Sequence, residues 1–194
     1  MRIPVRFAVI FFLALVSLEA QWVSLFNGKD LSGWKPAGNA AWKVESGVIV
    51  GQWDPAKPGG GWLMSEREFS DFVLQVEFRG EPKHANSGVA IRDPLHGAKD
   101  PAYSGYEIQI LDIPDAKMPT GSVYNVQKAK YVPLKDGWNS MEITARGTHI
   151  VVLLNGEKVA ETDDDRSLQG SVGFQSHSQG EVIYFRNIRI QKLK

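Results

Sequence analysis

The chain contains no cysteine. That removes disulfide staples, thiolate metal sites and cysteine nucleophiles together, so an exported domain of this sequence must be held by its core alone. Its 22 basic and 22 acidic side chains cancel, and no basic stripe or run occurs. A nucleic-acid partner is therefore not expected, and a neutral or weakly charged one is. No histidine pair stands at zinc-ligand spacing, no glycine-rich phosphate loop precedes a helix, and no Gly-x-Ser-x-Gly signature is present. Serine-nucleophile chemistry is not expected. No cofactor is expected either, although carboxylates and His84 or His177 brought from separate strands leave a divalent metal open. The run Asp163-Asp164-Asp165 lacks the alternating ligands and glycine of a calcium loop and reads as a solvated turn.

Long apolar runs are also missing, with one exception. Arg2 and Arg6 precede an apolar stretch over 7–18, and Leu18-Glu19-Ala20 places a small residue before a cut at Gln21. A spanning helix needs about 20 apolar residues, and Ser17 and Glu19 interrupt this stretch too early. The expectation is a signal peptide over 1–20, a domain over 21–194, no stable membrane insertion after cleavage, and a periplasmic or secreted product. About 170 residues suffice for one core that buries roughly two-thirds of the unfolded surface.

What is present is β-rich. Short runs of β-formers recur between turn signals at 42–44, 48–50, 72–78, 88–92, 106–111, 141–145, 150–154, 171–175 and 182–190, and no long segment has helical periodicity. Asn155-Gly156 supplies the two positive φ angles of a tight type I′ hairpin turn. Many strands at this spacing predict an all-β sandwich or jelly roll. Loops over 52–61, 93–104 and 113–135 are placed to form the rim of a pocket. The six tryptophans and five tyrosines offer flat faces for sugars, but large aromatics serve a core equally well.

The segment GYEIQILD, 105–112, is the most informative. Strand alternation sends Glu107, Gln109 and Leu111 to one face and Tyr106, Ile108 and Ile110 to the other. One face of this strand thus carries polar chemistry.

The segments SLFNGKDLSGW (24–34), WKVESGVI (42–49), NSGVAIR (86–92), GYEIQILD (105–112), PTGSVYN (119–125), WN (138–139), LNGEKV (154–159) and FRNIRI (185–190) together resemble the 3-keto-disaccharide hydrolase domain family. The resemblance runs in order from about Trp22 to the C-terminus. It implies a concanavalin A-like jelly roll, two antiparallel sheets with the site on a concave face, export, and cleavage of glycosidic bonds in oxidised sugars. The same fold serves lectins, so a non-catalytic carbohydrate-binding module is the alternative. In the same superfamily, laminarinase-like glycosidases carry three acids at the spacing held here by Glu107, Gln109 and Asp112. The middle acid is replaced by Gln109. Asp112 falls on the opposite face under strict alternation unless a bulge intervenes. An ordinary β-glucanase would need Asp112 as its second catalytic acid.

Keto-sugar cleavage needs less. A ketone at C3 acidifies the hydrogen on C2, and the glycosidic oxygen on C1 then lies β to the carbonyl, so one base can drive elimination, with water adding afterwards. Glu107 is the candidate base and Arg92 the candidate enolate stabiliser; the alternative for Arg92 is an ion pair with Glu107 or Asp112. Gln109 is placed to orient hydroxyls or Arg92. Tyr124 is placed to donate to the leaving oxygen, to stack on the ring, or simply to pack. His84 and Asn86 stand just before the NSGVAIR strand and near the rim, where turn chemistry alone also explains Asn86. His177 is a proton carrier or a solvated loop residue.

Overall fold

The computed structural model describes residues 21–54, 56–57 and 59–194; the expected export signal lies outside the described residues. Thirteen strands and one short helix are arranged as β1 (Trp22–Ser24), β2 (Trp34–Gly38), β3 (Ala41–Glu45), β4 (Val48–Gln52), β5 (Gly61–Phe69), β6 (Phe72–Glu81), β7 (Ser87–Asp93), α1 (Pro101–Ser104), β8 (Tyr106–Ile110), β9 (Asn139–Arg146), β10 (His149–Leu154), β11 (Glu157–Asp163), β12 (Gly170–Ser176) and β13 (Val182–Lys192). They form two antiparallel sheets. The larger has the order β11-β10-β9-β6-β13-β4-β3, with β1 paired to β13, and the smaller has the order β2-β5-β12-β7-β8. This is the expected all-β jelly-roll sandwich. No helix among the described residues is long and apolar enough to cross a membrane.

Period-two patterning builds the core. In β6, Phe72, Leu74, Val76 and Phe78 point inward while Val73, Gln75, Glu77 and Arg79 alternate outward. Phe174 of β12 meets Phe185 of β13 across the sandwich at 4.3 Å between ring centroids, and Trp34 stacks on the same ring at 5.2 Å. Such offset aromatic contacts add to the hydrophobic term of about 2–3 kcal/mol for each buried ring. The hairpin between β10 and β11 turns on Asn155 and Gly156, at φ 53° and 86°, as their sequence predicts.

β5 escapes the sequence pattern for a physical reason. Trp62, Leu63, Met64 and Ser65 are all buried, because the core covers one face and a small cluster of Trp62, Met64, Ala90 and Ala37 forms on the other. A strand buried on both faces shows no alternation. β2 carries Pro36 without loss of sheet pairing because it is an edge strand.

Candidate functional site

Tyr106, Ile108 and Ile110 of β8 enter the core, while Glu107, Gln109 and Leu111 line a cleft of about 340 Å³ on the outer face of the smaller sheet. Alternation therefore predicts both faces of this strand correctly. Register assembles the floor. Glu107 lies opposite Ala90 and Gln109 opposite Gly88; Gln175 of β12 lies beside Gly88, since Phe174 pairs with Val89. Beyond β8, residues 121–124 close the sheet edge. Tyr124 N–H donates to the Glu107 carbonyl at 2.8 Å, Gln109 N–H donates to the Ser122 carbonyl at 2.9 Å, and Ile108 bridges Val123. Tyr124 is consequently fixed directly across from Glu107.

The rim comes from two of the three expected loops, 93–104 and 113–135; no described residue of 52–61 lines the cleft. Asp93 is fully buried, and its carboxylate accepts from Leu95 N at 3.2 Å, Gly97 N at 2.5 Å and Ser104 Oγ at 2.7 Å. It ties down the loop that carries Asp100 and Tyr103 into the cleft. Asp100 in turn caps α1 by accepting from Ala102 N at 3.1 Å. Lys117 and Asn125 arrive on the other loop, and Lys117 is the only lysine or arginine among the described residues lining the cleft. Along one wall, Gln109 Nε2 donates to Asn86 Oδ1 at 3.0 Å, and Asn86 Nδ2 lies 3.3 Å from His177 Nδ1. The same Nδ1 lies 2.9 Å from Ser178 Oγ.

Glu107 is the unusual group. It is only 4% exposed, and its carboxyl makes no hydrogen bond among the described residues. Burial first, and the nearby Asp100 charge second, push it from the usual 4.5 up to about 8. Its side chain lies over Gly88, where a Cβ would come within 2.8 Å of Cγ and 2.9 Å of Cδ. The raised value has a stability consequence. The unfolded chain releases this proton near 4.5 whereas the folded protein holds it to about 8, so the folded state binds more protons in between and stability falls as pH rises through that window. Thermal midpoints recorded from pH 5 to 9 should decline, and Glu107→Gln should flatten the decline. An unchanged slope in the variant would show that the carboxyl is not protonated.

Two expected catalytic residues stand elsewhere. Arg92 is fully buried, and its guanidinium donates to Ser70 O at 2.7 Å, Gly147 O at 2.5 Å and Asp71 Oδ1 at 2.9 Å. The ion pair is real but its partner is Asp71, neither Glu107 nor Asp112, and Arg92 is no enolate stabiliser. Asp112 lies past the end of β8 and outside the cleft lining. Its carboxylate accepts from Tyr131 Oη at 3.1 Å and Leu134 N at 3.2 Å, and sits 3.6 Å from Lys83 Nζ. It secures the 113–135 loop and supplies no second catalytic acid. His84 is exposed and also outside the lining. Gln109, Tyr124, Asn86 and His177 are brought together with Glu107.

Asp100, Tyr103, Lys117 and Gln175 were not anticipated. Only Gln175 has a readable signal: in 171–175, Val172 and Phe174 are apolar and face the core, leaving Gln175 to the other face with Ser171 and Gly173. Among the described residues no cluster of three or more histidine and carboxylate side chains could hold a metal ion. A larger hollow of about 680 Å³ lies over the outer face of the larger sheet. There Arg189 Nε donates to Gln75 Oε1 at 2.6 Å and Gln75 Nε2 to Glu142 Oε2 at 2.5 Å. Those groups satisfy one another, whereas the smaller cleft holds unpaired buried groups.

Among solved structures, two described as candidate glycosyl hydrolases from Parabacteroides distasonis are similar over 89% of this chain. One is 26% identical with a TM-score of 0.72 over 100% of its own length, the other 24% identical with a TM-score of 0.71 over 94%. The carbohydrate binding module CBM66 from Bacillus subtilis shares the fold at 15% identity and a TM-score of 0.60, covering 82% of this chain and 96% of that one. No curated protein sequence matches. A family model, described as the 3-keto-alpha-glucoside-1,2-lyase-like domain, matches residues 21–191. The chain belongs to that family.

Proposed function

We propose that the protein cleaves the glycosidic bond of 3-keto-glycosides by base-driven elimination. The observation that carries this reading is a single buried carboxyl, Glu107, held near pKa 8 in a cleft without a hydrogen-bond partner. A base of that strength is matched to a carbon acid at neutral to mildly alkaline pH. The Glu107 carboxylate takes the hydrogen from C2, and the C–H electron pair forms an enolate with negative charge on the C3 oxygen. Collapse of the enolate restores the C3 carbonyl, forms the C1–C2 double bond and expels the C1 oxygen, which takes up a proton. Water adding across C1–C2 then completes a net hydrolysis. Lys117 is the cation assigned to the enolate oxygen, in place of Arg92, and Tyr124, opposite Glu107, is the donor assigned to the leaving oxygen.

A second reading is favoured by Asp100. Its charge acts on Glu107 within the same cleft, and a protonated acid beside a second carboxylate is the arrangement of ordinary glycoside hydrolysis. Incubation with a 3-keto-disaccharide and its unoxidised parent in deuterated water separates the two. Elimination predicts cleavage of the keto-sugar alone, with deuterium entering at C2. Cleavage of the unoxidised parent at a comparable rate would establish the two-carboxylate reading, and binding without cleavage of either would leave a carbohydrate-binding module.

The floor of the cleft gives a further test. Gly88→Ala places a methyl group against the Glu107 side chain and must turn the carboxyl away from its present position. Turnover should drop by about tenfold, since small misplacements of a reacting group are costly. The thermal midpoint should barely move, because the neighbour that must yield is one side chain. Unaltered kinetics in this variant would show that Glu107 has freedom the packing does not suggest.

A further inference from the structure

On the outer face of the smaller sheet, one cross-strand row reads Trp62, Gln175, Gly88, Gln109. Gly88 contributes no side chain and the Glu107 side chain takes up the space above it, so Gln175 and Gln109 stand on either side of Glu107, about 10 Å apart between their backbones. The Glu107 carboxyl leans over the same glycine. Gln109 is occupied by Asn86. Gln175 is different: it is 7% exposed, and its Oε1 is buried with no hydrogen-bond partner among the described residues. Folded proteins seldom leave such an acceptor unpaired, because the lost hydration is not returned. An orphaned acceptor in a cleft wall, beside a reactive group, is a place prepared for a donor that arrives with the ligand.

We infer that Gln175 is a specificity-determining residue whose side-chain oxygen accepts a hydrogen bond from one hydroxyl of a sugar ring seated in the cleft against Glu107. This assignment rests on the carbohydrate reading of the cleft. It concerns recognition and assigns Gln175 no part in bond breaking. A hydroxyl is the donor that suits a neutral polyhydroxylated ligand, and a site built to pair with a hydroxyl rejects an analogue that lacks it.

The test compares the wild type with Gln175→Met, which retains an unbranched side chain of similar length and removes the amide. Affinities are measured by calorimetry for methyl α-glucoside, its 3-keto form, and the 2-, 4- and 6-deoxy analogues of each; turnover of the keto forms is followed in parallel. The wild type should bind one deoxy analogue at least about tenfold more weakly than its parent. Gln175→Met should bind the parent at least about tenfold more weakly, and should bind that analogue and the parent equally. Its thermal midpoint should hold or rise, since the variant removes an unpaired buried oxygen; a merely structural glutamine would lower it. Retention of the full deoxy ranking by Gln175→Met, or failure of the wild type to bind any member of the panel, overturns the assignment. Bound keto-sugar that is never cleaved would end the elimination reading and leave Gln175 standing. Cleavage with an unaltered deoxy ranking would do the reverse.

Discussion

Replacing Glu107 by Gln should reduce turnover of a 3-keto-glycoside by roughly 100-fold or more, the scale on which a positioned general base contributes. The substitution preserves side-chain length and shape. Because the carboxyl is protonated across most of the neutral range and has no hydrogen-bond partner to lose, the thermal midpoint at pH 6 should change little. Ligand affinity should persist. Turnover, melting and affinity measured on one preparation decide the matter, and a variant with undiminished turnover would remove Glu107 from the mechanism.

The pH profile of the wild type tells whether Glu107 gives or takes a proton. A base must be ionised in the free enzyme, so kcat/KM should climb with pH, reach half its plateau near 8 and level off above it. An acid of the two-carboxylate kind must be protonated, and the rate would fall through the same value. Asp100→Asn removes the second cause of the shift, the nearby negative charge, and should move the limb to lower pH if Glu107 is the base; under the two-carboxylate reading it removes a catalytic group and should abolish turnover. The direction of the limb therefore separates the two chemistries, while its movement tests the environment of Glu107 independently.

How much of this was legible in the sequence depends on where each residue sits. Within β8 the period of two decides everything. Its core face is apolar, its pairing with β7 runs without a register shift, and Glu107 and Gln109 follow as cleft residues. Arg92 obeys the same count on paper, since Gly88, Ala90 and Arg92 alternate onto the Glu107 side of β7. The backbone breaks the count: Arg92 has φ +50°, and the β12–β7 register shifts between Ser171 and Gly173. A left-handed residue at a strand end re-aims the side chain, and nothing in the run NSGVAIR announces it. Asp100, Tyr103 and Lys117 were hidden for another reason. They reach the cleft along loops whose paths are set by side-chain anchors, Asp93 within 93–104 and Asp112 to Leu134 across 113–135, which strand patterning does not encode.

The relocation of Arg92 leads to an expectation opposite in kind to that for Glu107. Its guanidinium joins the β5–β6 turn, through Ser70 and Asp71, to the β9–β10 turn at Gly147. Asp71 Oδ1 also accepts from Gly147 N at 3.0 Å. Arg92 stands in the smaller sheet and both β9 and β10 in the larger, so one side chain clamps the two layers at this end of the sandwich. Arg92→Leu keeps much of the buried stem but leaves two carbonyls without donors and a carboxylate without its cation. The loss should be about 3 kcal/mol, the lower end for breaking a buried pair because Asp71 retains some contact with water. For a domain of this size that corresponds to a fall of roughly 10 °C in the thermal midpoint. Arg92→Lys should recover only part of it, since an ammonium cannot fork across three acceptors. Below its midpoint, the Leu variant should turn over substrate at a rate close to the wild type per folded molecule. A fall of about 100-fold in the rate with an unchanged midpoint would return Arg92 to the chemistry and overturn its placement as the clamp between the sheets.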